Sequence, residues 1–230
     1  MLFRSAVVHG SQPKFTLTEI IPDMHRSVRF IRHNAKKFGI DPERIGIAGA
    51  SAGGHLSLMM GTAGGKGNPD APDPIDRESS AVQAVACFFP PTDFLNWRKK
   101  GDDYSDRKFD RRFVAAVDYH QFDRDKGMFE RVTDKKKLKE IAASVSPITH
   151  VKKTSAPALI IHGDKDRLVP IFQAETMLEK YKEAGVGSKL IVRKGADHGW
   201  KDMGKDAVLL ADWFDDHLLK KGEKKEGKKD

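Results

Sequence analysis

Five residues constrain this chain more than any others: Gly49-Ala50-Ser51-Ala52-Gly53. They follow Arg44-Ile45-Gly46-Ile47-Ala48, which reads as a short buried strand. They precede Gly54-His55-Leu56-Ser57-Leu58-Met59-Met60, which reads as the start of a helix. A strand that passes into a helix through a single serine needs a sharp turn. Small residues on both sides let the backbone take the strained angles of such a turn. The serine hydroxyl is then pushed out at the top of a parallel sheet, and the Ala52 amide faces the same space, where a developing oxyanion would sit. The five-residue pattern is weak by itself, because a small-residue turn that only caps a helix looks the same.

The rest of the chain adds weight. A serine nucleophile needs a base, and the base needs an acid to orient it. Ala158-Leu159-Ile160-Ile161-His162-Gly163 is an apolar run ending in glycine, followed by Asp164-Lys165-Asp166-Arg167-Leu168-Val169-Pro170. Lys189-Leu190-Ile191-Val192-Arg193 alternates like a strand and leads to Gly195-Ala196-Asp197-His198-Gly199-Trp200. An acid thus lies in the loop after one strand and a histidine in the loop after the next. Ser51, Asp166 and His198 come in the chain order of the α/β-hydrolases, not that of chymotrypsin or subtilisin.

These phrases carry a wider resemblance. Phe38-Gly39-Ile40-Asp41-Pro42-Glu43-Arg44-Ile45, Ser51-Ala52-Gly53-Gly54-His55-Leu56, Ser146-Pro147-Ile148, Ile161-His162-Gly163-Asp164-Lys165-Asp166 and Asp197-His198-Gly199 resemble the α/β-hydrolase superfamily. Within its esterase/lipase branch, the chain resembles bacterial acetyl-xylan and feruloyl esterase-like proteins. The resemblance runs from about Val7 to about Leu219. It implies an α/β-hydrolase fold, a mostly parallel sheet with helices on both faces. It also implies a serine esterase acting on a small-molecule or carbohydrate ester, with Ser51 as nucleophile, His198 as base and Asp166 as acid. Peptidases of the prolyl oligopeptidase type share several of these phrases and stay open as an alternative. So does an inactive remnant.

Competing residues have plainer roles to set beside these. Asp164 is a loop residue that bonds to backbone. Asp93, after the strand Val82–Phe89, occupies a position where some hydrolases carry their acid. His55 lies one helical turn beyond Ser51 and reads as a packed or bonded helix residue. His162 ends an apolar strand and reads as a core residue. Asp70, Asp73, Asp76 and Glu78 carry oxygens suited to calcium, but prolines break the spacing and a solvated loop fits better. The single cysteine, Cys87, lies in an apolar run and reads as core, which excludes an internal disulfide framework. No cofactor or metal is called for.

The 230 residues suit one α/β domain over 1–219, with an insertion at about 94–143 expected to be helical and to cover the site. The formal charge of +8 raises nucleic acid as a partner. The tail 220–230 weakens that idea, since its lysines are interspersed with Glu223, Glu226 and Asp230 and it reads as a disordered solvated end. No apolar stretch has the length of a membrane span, and Met1-Leu2-Phe3-Arg4-Ser5 lacks the pattern of a signal peptide. Periodicity predicts helices over 23–38, 53–60, 172–184 and 205–219, and a strand at Ala6–His9. That strand is followed by only one helix before Ser51. His9-Gly10 lacks the further glycines of an HGGG-like oxyanion loop. The expectation is therefore a chain that starts midway through the fold, without the first strands, with one sheet edge open and half an oxyanion hole.

Overall fold

The computed structural model describes residues 4–8, 10, 15–105 and 118–219. Six strands appear among them: β1 (Gly46–Ala50), β2 (Ala84–Phe88), β3 (His120–Asp123), β4 (Met128–Arg131), β5 (Ala158–Gly163) and β6 (Ser188–Arg193). The main sheet has the order β1-β2-β5-β6, and each neighbouring pair is parallel. The helices are α1 (Leu17–His33), α2 (Ala35–Phe38), α3 (Ala52–Ala63), α4 (Lys135–Ser144), α5 (Phe172–Glu183) and α6 (Ala207–Leu218). The fold is that of an α/β-hydrolase.

Strands β2 and β5 are buried along their whole length. Both are unbroken apolar runs, as a strand covered on two faces requires. Their side chains alternate between two cores. Val85, Cys87, Ala158 and Ile160 join the buried residues of α1, α3 and α5. Ala86, Phe88, Leu159 and Ile161 face Leu210, Trp213 and Phe214 of α6. Helices thus cover both faces, and the C-terminal strand ends stay clear for loops.

Helix α1 begins six residues before the predicted start at Asp23. Thr16 and Glu19 form a capping box, and Pro22 lies inside the helix. The proline forfeits one backbone bond, whereas the box satisfies two orphan donors. Gly39 ends α2 in the left-handed conformation at φ 64°, as the sequence suggests. Arg32, buried on α1, donates to the carbonyls of Pro42, Ser79 and Ala81 and so ties the helix to the chain on either side of β1.

Three expectations need correction. The predicted buried strand before Ser51 is half exposed, because β1 has a single neighbour, β2, among the described residues. Residues 4–8 form no strand, and His9 lies outside the described residues. Without a ladder partner, Ser5, Ala6 and Val7 instead border a groove of about 350 Å³ shared with Met24, Val28 and Leu56. In the insertion, the described part is mixed and not purely helical. Its residues pair as the antiparallel hairpin β3–β4, with α4 following. His120-Gln121-Phe122-Asp123 and Met128-Phe129-Glu130-Arg131 flank an Arg124-Asp125-Lys126-Gly127 turn, where Gly127 takes φ 64°. The tail 220–230 lies outside the described residues.

Candidate active site

Ser51 sits between β1 and α3 with φ 52° and ψ −119°. A serine in this region is strained, by about 1–3 kcal/mol, and persists only where its surroundings fix it. Here the Ser51 amide donates to the Phe88 carbonyl at 3.0 Å, and the Ser51 carbonyl accepts from the His55 amide at 3.0 Å. Gly49 is demanded by the turn, because a Cβ there would stand 2.3 Å from the Gly53 carbonyl oxygen. Gly54 lets α3 approach β2, since its Cβ would lie 3.0 Å from the Phe88 carbonyl oxygen. Ala52 is the first helical residue, so its amide has no carbonyl within α3 to bond.

The loops after β5 and β6 meet this turn. His198 Nε2 lies 2.9 Å from Ser51 Oγ, and His198 Nδ1 lies 2.8 Å from Asp166 Oδ2. An ionised carboxylate only accepts, so Nδ1 carries the proton and Nε2 is left to accept from the serine hydroxyl. Asp166 Oδ1 accepts from the amides of Leu168 and Val169, both at 2.9 Å. Burial pushes the Asp166 carboxyl up, but hydrogen bonds from His162, His198 and these two amides outweigh it and hold the group below the usual carboxylate range.

Close backbone contact fixes the two loops to each other. The Asp164 carboxylate accepts from the Gly195 amide at 2.6 Å, and the Lys165 amide donates to Ala196 O at 2.9 Å. Asp197 accepts from both the backbone and the side chain of Arg167. Gly163 is the narrowest point, since a Cβ there would stand 2.3 Å from the Ala196 carbonyl oxygen. Gly163→Ala is expected to force the histidine loop outward and to cost about 1–3 kcal/mol. A thermal melt of the variant beside the parent checks this; equal Tm values would mean that the loop yields freely.

Residues 6–181 match the model of the BD-FAE family. The chain belongs to the BD-FAE family. This BD-FAE chain is 30% identical to Esterase LipC of Mycobacterium tuberculosis over 183 residues, which is 78% of the chain and 40% of LipC. It thus spans well under half the length of the curated relatives it matches. Among solved structures it resembles a truncated carbohydrate esterase from gut microbiota, with TM-score 0.70 and 26% identity over 94% of this chain and 74% of that one. The acetyl ester-xyloside bifunctional hydrolase of Caldicellulosiruptor lactoaceticus aligns with TM-score 0.67 and 23% identity, over 90% of this chain and 65% of that one, which speaks to the fold alone.

The BD-FAE chain gives its other candidate residues different work. Asp93 accepts from the amides of Leu95 and Asn96 and from the Asn96 side chain, so it shapes its own turn. His55 is buried and bonds the Val145 carbonyl at 2.7 Å. Burial pushes its imidazole down to about 4, which suits a neutral structural tie. Asp73 and Asp76 are both bonded to Arg26. Among the described residues no group of three or more His, Cys, Asp or Glu side chains is placed to hold a metal ion. Cys87 is buried, and burial pushes its thiol up, away from a reactive thiolate.

Two residues beside these three were not read from the sequence as part of the site. Phe89 takes φ 37°, and its ring centroid lies 4.2 Å from that of His198. A bulky residue with positive φ is an outlier that marks strain. No sequence signal betrays it, because Phe88-Phe89 looks like the tail of an apolar strand. The other is His162, the histidine read as core, which touches Asp166. Its place four residues before Asp166 was the available signal.

Proposed function

We propose that this chain is a carboxylic ester hydrolase that forms an acyl-enzyme on Ser51. The single observation that carries the proposal is the continuous hydrogen-bonded run from Ser51 Oγ through His198 to Asp166, ending on a strained strand-to-helix turn. His198 Nε2 takes the serine proton as Oγ attacks the ester carbonyl. Asp166 holds the imidazole in the Nδ1–H tautomer and stabilises its charged form. The Ala52 amide, at the start of α3, donates to the oxyanion. As the tetrahedral intermediate collapses, His198 protonates the leaving alcohol. A water activated by the same imidazole then hydrolyses the acyl-serine and restores the free hydroxyl. Esters, including carbohydrate-linked ones, are the substrates that the names of the similar proteins favour.

The test compares turnover of a short aryl acetate with that of an aminoacyl aryl amide. It is accompanied by fluorophosphonate labelling and mass mapping of the modified peptide. Ester turnover with label on Ser51 is the expected result. Amide turnover as fast as ester turnover would favour a peptidase. No label and no turnover would leave an inactive remnant.

The acid limb of kcat/KM is expected to follow one proton. Asp166 stays ionised to below the usual carboxylate range. Asp166 therefore adds no proton to this limb, which leaves one, on the base itself. Activity should be lost as pH falls, with a limiting slope of one. A slope of two would show that Asp166 takes up a proton in the same range.

A further inference from the structure

His162 is the penultimate residue of β5, four residues before Asp166, and its side chain is completely buried. Its Nε2 lies 2.8 Å from the Val169 carbonyl oxygen and 3.2 Å from Asp166 Oδ2. A backbone carbonyl can only accept, so Nε2 carries a proton and donates. The other ring nitrogen, Nδ1, is buried without a hydrogen-bond partner among the described residues. A second proton there would be left unsatisfied, so the geometry fits one tautomer, Nε2–H, shared between two acceptors.

We infer that His162 is a positioning residue for the acid: it holds Asp166 Oδ2 in place and tempers the charge that oxygen presents to His198. The same oxygen accepts from His198 Nδ1 at 2.8 Å. Two imidazoles therefore compete for one carboxylate oxygen, while the amides of Leu168 and Val169 fix the other. The bond from His162 to Val169 also closes the turn 166–169 from beneath. The Phe89 ring packs near both imidazoles, its centroid 6.4 Å from that of His162 and 4.2 Å from that of His198. The other carboxylates nearby are engaged by different donors, and Asp197 accepts from the His198 backbone amide at 2.8 Å. Asp197, on the histidine's own loop, is bonded to Arg167, and Asp164 is bonded to the Gly195 amide.

Removing the His162 donor leaves Oδ2 with one partner and more charge to offer it. The imidazolium form of His198 is then better stabilised, so His198 should hold its proton to higher pH. It would be a poorer base at neutral pH and a less well-placed one. The change His162→Gln would place an amide N–H near the position of Nε2, whereas leucine fills the volume without a donor. An asparagine reaches only as far as Nδ1.

The role assigned to His162 rests on the esterase proposal for its kinetic arm only. The experiment records the His198 titration by NMR in the parent, His162→Leu, His162→Gln and His162→Asn, together with kcat and KM on the aryl acetate. The expected result is a His198 midpoint higher by about half a pH unit or more in the leucine and asparagine variants. In those variants kcat should fall about 10-fold or more at neutral pH with little change in KM. The glutamine variant should restore both. If the leucine variant does not fold, the asparagine and glutamine variants carry the same comparison. A midpoint that is unmoved in a folded donor-less variant overturns the inference, as does a loss that glutamine fails to restore. If the parent does not turn over the ester, the esterase proposal fails, and the NMR midpoints still decide what His162 does.

Discussion

Ser51→Ala is expected to reduce ester turnover by about 10⁶-fold while leaving the fold intact. The methyl group fits where Cβ already stands, and the bonds that fix the turn come from the backbone, Ser51 N to Phe88 O and His55 N to Ser51 O. The loss therefore reports the missing Oγ and not a collapsed elbow. Fluorophosphonate labelling should vanish with it. The companion variant Ser51→Gly separates strain from chemistry. At φ 52° and ψ −119° only glycine is at ease. Relief of about 1–3 kcal/mol of strain exceeds the roughly 0.5–1 kcal/mol of added chain entropy that glycine costs. The glycine variant should therefore melt higher than the alanine variant and be equally inactive. A glycine variant that melts lower would mean that the turn is not strained. An alanine variant that keeps more than about 1% of parental turnover would retire Ser51 as the nucleophile.

The second large effect belongs to the acid. Asp166→Asn should lower kcat by about 10⁴-fold, because an amide can turn its N–H₂ toward His198 Nδ1 and so impose the wrong tautomer. Asp164→Asn keeps a carbonyl oxygen to accept from the Gly195 amide, the contact that Asp164 makes at 2.6 Å. It should cost less than about 10-fold, through a slightly looser loop. The comparison needs only kcat and KM for the two single variants. If the Asp164 change proves the more damaging, Asp166 is not the acid. If neither matters, Asp93 is the next residue to replace, despite its commitment to the Leu95 and Asn96 amides.

Much of this arrangement was legible before any coordinates, for a physical reason. The strand ends that hold Ser51, Asp166 and His198 are marked by glycines that steric contact enforces, at Gly49 and Gly163. Apolar runs announce β2 and β5, since a strand covered on both faces has no polar positions to spend. The start of α1 was missed because Pro22-Asp23 looks like a helix entrance. The Thr16-Leu17-Thr18-Glu19 box six residues earlier carried the true signal. Strand β1 was misjudged as buried because its sequence reports local preference and not how many neighbours it has. The contact of His162 with Asp166 and the strained Phe89 depend on how chain segments meet in space, and a single sequence does not encode that openly. The same holds for the hairpin β3–β4, whose mostly exposed strands lack a clean alternation to read.

The placement of the three site residues across the sheet grades how firmly each is held. Asp166 hangs from β5, which has a neighbour on either side and no exposed residue. The serine follows β1 and the histidine follows β6, each a marginal strand with one neighbour among the described residues. Marginal strands open by local fluctuation well before an inner strand does. Amide exchange should therefore be slowest along Leu159–Ile161 and faster along Ile47–Ala50 and Leu190–Val192. A transient opening at either margin would part the serine from the histidine while the carboxylate stays seated. On this sheet Asp166 is the anchor, and Ser51 and His198 are brought to it from opposite rims.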